Sequence, residues 1–225
     1  MIELYCHKLD PSSRLVRLML GEYGIDHTLL ETSAWVREKE LIDIDPAAVL
    51  PVLNDEDMPP VIGLLAVIHH IEDNLTPPGV EHLVPATPVA RSEMWRLIDW
   101  TTQKFSDEVS RYILEEKIGR RERRSGTPDP GALRAAKTNL TEHMAYFSYL
   151  FATRRWLGGD QLSLADLAFA AHLSALDYLG DVDWSHAGEV RNWYARIKSR
   201  PAFRPLLSER LAGMPASAHY ADLDF

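Results

Sequence analysis

The sequence predicts a mixed α/β domain over residues 1–80, an all-helical domain over residues 81–212 and a tail over residues 213–225. Strand-like and helix-like patterns alternate through the first 75 residues. Proline and glycine then accumulate between residues 76 and 88, which marks a boundary, and helical periodicity follows almost throughout. A chain of 225 residues is long enough for two such domains.

The first domain is predicted to run in the order strand, helix, strand, helix, strand, strand, helix. Short apolar stretches indicate strands at residues 2–6, 27–32, 52–54 and 60–62. Stretches with one apolar face indicate helices at residues 13–23, 35–44 and 64–75. Gly24 fits the end of the first helix, because glycine is favoured just beyond a helix C-terminus.

The second domain is predicted to hold two long helices, a buried helix and two shorter ones. Apolar residues keep a helical spacing along the two long helices, at Met94, Leu97, Ile98, Phe105 and Val109 and again at Leu133, Ala136, Leu140, Met144, Phe147 and Phe151. Residues 125–131 are rich in proline and glycine and separate these helices. Residues 164–179 are apolar almost all round, which predicts a central helix, and shorter helices follow near 189–199 and 202–211.

Composition argues against several classes of function. Lys and Arg total 24 against 33 Asp and Glu, so the net charge is −9 and non-specific binding of nucleic acid is not expected. The one cysteine, Cys6, cannot form an intrachain disulfide and is expected to be a buried, unreactive strand residue. The nine histidines have no metal-ligand spacing, so no metal is expected. No apolar stretch approaches the roughly 18 residues of a membrane span and no secretion signal is evident, so we expect a cytoplasmic protein.

Four segments, taken in order, resemble one family. They are Ser12-Ser13 at the first helix, residues 49–53 (Val-Leu-Pro-Val-Leu), residues 159–166 (Gly-Asp-Gln-Leu-Ser-Leu-Ala-Asp) and residues 190–203, which end in Arg-Pro-Ala-Phe. On these motifs the chain is identified as a member of the glutathione S-transferase (GST) superfamily. The resemblance implies a thioredoxin-like N-terminal domain, a helical C-terminal domain and usually a homodimer. It also implies a cis peptide before Pro51 and a capping box in which Ser163 caps the buried helix and Asp166 bonds back to it.

The enzymes of this family need a hydroxyl or thiol at the start of the first helix. A hydrogen bond from that group stabilises the glutathione thiolate, which is the nucleophile. Ser12 and Ser13 are the candidates in this chain. In the alternative interpretation, one of these serines only caps the helix.

The family also grips the charged γ-glutamyl end of glutathione, through a Glu-Ser pair at the start of the third helix. The matching residues here are Gly63 and Leu64, beside Leu50 and Pro51 of the same degenerate site. Leucine offers no hydrogen bond, so the ligand's polar groups would stay unpaired at about 1–3 kcal/mol each. We therefore expect no catalytic residues and no cofactor. The alternatives are an active transferase that uses Ser12 or Ser13 with glutathione, and an enzyme with another small substrate in the interdomain cleft.

Three surface features are candidate partner contacts. Trp35 precedes a heavily charged helix, and an exposed tryptophan is a natural interface anchor, although packing on its own domain is the commoner role. The end of the first long helix is a weaker candidate, at Glu115, Glu116 and Lys117. The tail mixes apolar and acidic residues, as short docking peptides do, at Tyr220, Asp222, Leu223, Asp224 and Phe225. The tail sequence is equally consistent with docking a partner and with simply packing on its own domain.

The Gly63-Leu64 site, residues 34–40 and the ending Tyr-Ala-Asp-Leu-Asp-Phe resemble one subgroup of the family, the GST-like division proteins of alphaproteobacteria that bind FtsZ. This resemblance implies a non-enzymatic homodimer, in the cytoplasm at the division site, which bundles or curves FtsZ filaments and signals to septal wall synthesis. The tail would then dock other division proteins. A symmetric dimer presents each patch twice, so it can bridge filaments without catalysis.

Overall fold

The first domain is a four-stranded sheet accompanied by helices. The structure, a computed structural model, describes residues 1–56 and 58–223. The strands are β1 (Ile2–Cys6), β2 (His27–Glu31), β3 (Val52–Asn54) and β4 (Val61–Ile62). The helices are α1 (Pro11–Tyr23), α2 (Lys39–Ile44) and α3 (Leu64–His70), which continues with π-type hydrogen bonding through Ile71–Leu75. The predicted order of elements is confirmed.

The sheet has the strand order β2-β1-β3-β4, which places β1 inside it. β1 runs parallel to β2, with Leu4 opposite Leu29, and antiparallel to β3, with Leu4 opposite Leu53. β3 and β4 pair antiparallel, which leaves β4 as the edge strand opposite β2. Leu4 and Leu53 are fully buried, and helices α1 and α3 pack beside each other on the sheet. This mixed sheet agrees with the predicted thioredoxin-like domain.

The second domain is helical in the described residues. Its elements are α4 (residues 88–122, partly in π-type geometry), α5 (Pro130–Phe151), α6 (Leu164–Tyr178), α7 (Glu189–Lys198) and α8 (Arg204–Ser208). Two 3₁₀ turns lie between them, at Trp184–His186 and Pro201–Phe203. No helix in the described part of the chain is both long and apolar enough to cross a bilayer.

Helix α6 is the centre of this domain. All 15 of its residues are buried, as the apolar sequence predicts. The Ser163 hydroxyl donates to Asp166 Oδ2 at 2.9 Å, and the Ser163 N–H donates to the same oxygen at 3.1 Å, which confirms the capping box. Asp166 also accepts the Leu157 N–H at 2.8 Å and the Trp193 indole N–H at 2.9 Å. One carboxylate therefore ties the start of α6 to the preceding loop and to α7.

Two predicted helix boundaries and the predicted serine cap were wrong. The helix predicted from residue 35 begins at Lys39, because Arg37 has φ of 50°, a left-handed conformation that no helix accommodates. Neither Ser12 nor Ser13 caps α1, since Asp10 is the N-cap and accepts the Ser13 N–H at 2.7 Å. The last helix ends at Ser208 rather than 211, because Glu209 is extended and turns its carboxylate toward buried arginines of α1.

The two domains are joined by the packing of α1 on α6. Arg14 of α1 is completely buried and donates from Nη1 to Ser174 Oγ at 2.7 Å and to Tyr220 Oη at 3.0 Å. Glu209 lies 3.4 Å from Arg14 Nη2 and balances its charge. Elsewhere on α1, Gly21 allows close approach, because a Cβ at that position would lie 2.9 Å from the Cβ of Ala202. The cleft described next therefore lies between two firmly joined domains.

Candidate functional site

A cleft of about 250 Å³ lies between the two domains. The first domain contributes the start of α1, the Trp35 turn and the loop before β3, and the second contributes α4 and α6. Its lining includes Ser12, Trp35, Leu50, Ser106, Arg111 and His172. Hydroxyl groups, one guanidinium, one indole and one imidazole line a space large enough for a compact organic molecule.

The two candidate serines have different surroundings. Ser13 is fully buried, and its hydroxyl donates to Asp10 Oδ2 at 2.7 Å. Burial raises the pKa of Asp10, although the hydrogen bonds from Ser13 oppose that shift. Ser12 is partly exposed and lines the cleft. Ser12 is thus the hydroxyl that a ligand in the cleft reaches, whereas Ser13 is held by the helix cap.

The other half of the family's glutathione site lies at Pro51 and the start of α3. The Leu50–Pro51 peptide is cis, as the resemblance implies, and the Pro51 carbonyl accepts the Gly63 N–H at 3.0 Å. Gly63 is the N-cap of α3 with φ of 88°, and no side chain caps the helix there. Leu64 begins the helix and Leu65 follows it, 58% exposed. The first turn of α3 thus presents carbon where the family has a carboxylate and a hydroxyl.

His172 is a cleft residue that the sequence analysis missed. It lies in α6, and its Nδ1 is 2.8 Å from the Ser110 hydroxyl of α4. Burial lowers the pKa of His172 to about 3, so the ring is neutral. A lone histidine within an apolar helix was the available signal, since a polar group in a buried helix needs a partner.

The Trp35 ring packs against the end of α4. Its centroid lies 4.7 Å from that of His7, edge to face at 84°. Gly119 of α4 faces the same ring, because a Cβ on Gly119 would lie 2.7 Å from Trp35 Cδ1 and 2.6 Å from Glu115 Oε2. The structure therefore brings two predicted partner contacts, Trp35 and Glu115, to one place.

Glu115, Glu116 and Lys117 each form an ion pair within the chain. Glu115 pairs with Arg123. Glu116 is buried, lies 2.5 Å from Arg120 Nε and accepts the Asp129 N–H at 2.7 Å, and these bonds lower its pKa, with the Asp129 amide the largest cause. Lys117 donates to the buried Asp181 carboxylate at 2.6 Å. Of the three, Glu115 lies beside Trp35, while Glu116 and Lys117 stabilise the connections to α5 and to the loop after α6.

The tail is folded onto the helical domain. Tyr220 is fully buried and its ring packs on Tyr178, with centroids 5.2 Å apart. The Asp222 carbonyl accepts from Lys198 Nζ at 2.6 Å, and Leu223 is 42% exposed. Tyr220 is thus placed inside the fold and Asp222 and Leu223 at its surface. Asp224 and Phe225, the other predicted tail contacts, lie outside the described residues.

Comparisons with known proteins agree with this geometry. Residues 130–196 match the family model described as the glutathione S-transferase, C-terminal domain. FtsZ-localized protein A of Caulobacter vibrioides is 40% identical over 225 residues, which cover 99% of this chain and 97% of that protein. The chain belongs to the FtsZ-localized protein A (FzlA) family of GST-like proteins.

Solved structures place the fold of this FzlA-family chain among its relatives. "FzlA from C. crescentus" has a TM-score of 0.93 and 39% identity, covering 100% of this chain and 99% of that one. A protein from Sinorhizobium meliloti, described as a glutathione S-transferase, has a TM-score of 0.93 and 40% identity with full coverage of both chains. A theta-class enzyme from Xanthomonas axonopodis with glutathione bound has a TM-score of 0.77 and 21% identity, covering 94% of this chain and 99% of that one, which shows the shared fold alone.

The fold of this FzlA-family member adds no candidate residue for binding a metal or for thiol chemistry among the described residues. Across residues 1–56 and 58–223, no three His, Cys, Asp or Glu side chains are grouped so as to hold a metal ion. Cys6 is buried in β1, and burial raises the pKa of its thiol to about 11, so the thiolate nucleophile is not formed at neutral pH. The remaining candidate functional residues are Ser12 in the cleft and the neighbouring pair Trp35 and Glu115, which together form the Trp35 surface.

Proposed function

We propose that the chain binds FtsZ filaments as a homodimer, bundles or curves them, and links them to septal wall synthesis. The observation that carries this proposal is 40% identity, over 99% of the chain, to a protein named for its localisation with FtsZ. The proposed place of action is the cytoplasm at the division site. The absence of a carboxylate and hydroxyl pair at Gly63 and Leu64 supports a role in binding rather than in glutathione chemistry.

A homodimer gives this function a simple physical basis. Two-fold symmetry presents the same docking surface twice, so one dimer can contact two filaments, or two subunits of one filament. The second contact forms at high effective concentration once the first has formed. Weak single contacts therefore suffice to crosslink filaments, and no chemical step is needed.

The proposed docking surface consists of Trp35 and Glu115. Trp35 is half-buried, so one part of the ring is fixed against His7 and Gly119 while the rest is available to a partner. An aromatic ring held in a fixed position loses little entropy when it is covered, which is typical of interface anchors. Glu116 and Lys117 remain lesser candidates. The exposed end of the tail, Asp222 and Leu223, is proposed to dock other division proteins.

Co-sedimentation with polymerised FtsZ tests the proposal. We expect the purified protein to pellet with the filaments and W35A to pellet at least about tenfold more weakly, since a central aromatic anchor contributes at least about 2 kcal/mol. W95A serves as a matched control, because Trp95 stacks on His69 near the start of α4, whereas Trp35 contacts the end of that helix. Failure of the unchanged protein to pellet at any concentration would contradict the proposed function. Normal binding by W35A would contradict only the assignment of Trp35 to the docking surface.

A second candidate function is glutathione transfer. The observation in its favour is that Ser12 lines the cleft beside the cis Leu50–Pro51 peptide. This candidate takes glutathione as its cosubstrate, with Ser12 or Ser13 as the thiol-stabilising hydroxyl. It predicts that millimolar glutathione raises the melting temperature and that S12A abolishes turnover of a model electrophile. We expect neither an increase in melting temperature nor turnover, because the γ-glutamyl group finds no polar side chain at Gly63 and Leu64.

A further inference from the structure

His7 of the first domain and Glu122 of the second are hydrogen-bonded to each other beside the Trp35 surface. We refer to this pair as the clamp. His7 is buried at the end of β1, and its Nδ1 accepts the Leu9 N–H at 3.1 Å. Because Nδ1 is an acceptor there, the ring proton lies on Nε2, which donates to Glu122 Oε1 at 2.9 Å. The tautomer and the orientation of the ring are therefore both determined by hydrogen bonds, one in each domain.

Glu122 also holds the turn that carries Trp35. Its Oε2 accepts the Ser33 hydroxyl proton, and Ser33 Oγ in turn accepts the Trp35 N–H at 3.2 Å. Burial alone would raise the pKa of Glu122, but the hydrogen bonds from His7 and Ser33 outweigh it and hold the pKa below its usual range. The carboxylate thus stays ionised, and charge-assisted bonds of this kind are the stronger ones.

Trp35 is connected to the end of α4 by two further contacts, at Gly119 and at Arg123 just beyond the helix. Its ring lies edge to face with His7 of the first domain, and Gly119 leaves room for the ring to rest on α4. Its carbonyl accepts from Arg123 Nη1 at 3.4 Å, and Arg123 also pairs with Glu115. Hydrogen bonds and ring contacts thus lead from Trp35 to the last two turns of α4, although Trp35 belongs to the first domain.

We propose that His7 and Glu122 are positioning residues for FtsZ binding, which hold the Trp35 ring of the first domain against α4 of the second. The inference rests on the proposed function, because it takes Trp35 as the docking anchor. Without the clamp, residues 34–37 have no regular secondary structure to hold them, since α2 begins at Lys39. The ring would then have to be ordered when the partner binds, and that ordering costs affinity.

A double-mutant cycle tests the clamp with full-length protein and polymerised FtsZ. We compare the parent, W35A, H7F and the double variant by co-sedimentation. H7F retains a ring beside Trp35 but loses both hydrogen bonds, and we expect about a tenfold loss of affinity. In the W35A background the same change should cause no further loss, because the clamp acts through Trp35. E122Q provides a second route to the same test if H7F does not fold.

Two matched variants separate positioning from general stability. H7Q can still accept the Leu9 N–H and donate to Glu122, so it should recover most of the affinity that H7F loses. His143 forms a similar pair, with Nε2 2.9 Å from Glu108 and the indole N–H of Trp100 on Nδ1, so H143F removes an equivalent interaction elsewhere. H143F should leave FtsZ binding unchanged even where it lowers the melting temperature.

A spectroscopic readout follows Trp35 without FtsZ. With 5-fluorotryptophan incorporated, the resonance that W35F removes should broaden or shift in H7F and E122Q but not in H143F. Normal FtsZ binding by H7F and E122Q, or an equal loss from H7F in the parent and in W35A, would overturn the clamp while leaving the proposed function intact. Normal binding by W35A would instead overturn the Trp35 surface and, with it, this inference.

Discussion

His172 shows how burial determines the chemistry of a single residue in the cleft. The pKa of His172 is lowered from 6.5 to about 3 by desolvation. The folded protein therefore excludes a proton that the unfolded chain binds between these two values. By linkage, the free energy of unfolding falls as the pH drops from 6.5 toward 3.

We predict that H172Q removes this part of the pH dependence. Glutamine keeps a hydrogen bond to Ser110 but does not titrate. The stability of the parent relative to H172Q should therefore fall by about 2 kcal/mol between about pH 7 and pH 5. Urea denaturation at several pH values measures the difference. H186Q, at a side chain that is 81% exposed, is the control and should follow the parent. Parallel curves for the parent and H172Q would contradict the prediction.

Which residues could be identified from sequence depends on how local their partners are. Asp166 and Ser163 are three residues apart, so their capping box could be predicted from the motif alone. His172 is bonded to Ser110, 62 positions away, and Glu122 to Ser33, 89 positions away. Neither pair has any local signature, so both became visible only with the fold.

Whether a helix or strand could be predicted also depends on how local its determining contacts are. Periodic apolar residues predicted most elements, because each buries one face against the core whatever its neighbours. The exceptions depend on distant contacts or on special backbone. Arg37 adopts a positive φ that delays α2, and Glu209 leaves the helix to pair with Arg17 of α1 at 2.7 Å. The position of the Trp35 turn against α4 likewise depends on packing between elements far apart in sequence.

Helix α4 gives a prediction in which the usual effect of a substitution reverses. Replacing glycine by alanine inside a helix normally stabilises by about 0.5–1 kcal/mol. At Gly119 the new Cβ would lie 2.7 Å from Trp35 Cδ1 and 2.6 Å from Glu115 Oε2. The flexible glutamate can move aside, whereas the indole packs against His7 and the backbone N–H of Trp35 is held by Ser33 Oγ. We therefore expect G119A to destabilise the parent and to stabilise W35A.

Urea denaturation of the parent, G119A, W35A and the double variant measures this reversal as a coupling energy. Each protein serves as a control for the others, because the same methyl group is added with and without the indole. Additive changes would show that Trp35 does not rest on Gly119. G119A should also weaken FtsZ binding if the Trp35 surface is the docking site.

The whole molecule is held together by a polar centre where both domains and the tail meet. Arg14 enters it from the first domain, and Tyr220 enters it from the tail. The Tyr220 hydroxyl accepts from Arg14 at 3.0 Å and donates to the Leu206 carbonyl at 3.1 Å. The Ser217 N–H donates to the Tyr178 carbonyl at 2.9 Å, which fixes the tail on α6. The inner half of the tail is therefore a structural strap, whereas Asp222 and Leu223 lie at the surface.

We predict that Y220F and L223S distinguish the buried part of the tail from its surface part. Y220F removes both hydroxyl bonds and should lower the free energy of unfolding by about 1–2 kcal/mol while leaving FtsZ co-sedimentation unchanged. L223S alters a residue that is 42% exposed and should lower the free energy of unfolding by less than Y220F does. Y149F is the matched control, since Tyr149 is 73% exposed. If Y220F were as stable as Y149F, the Tyr220 hydroxyl would not anchor the tail. The tail would then have to be held by its backbone contacts alone.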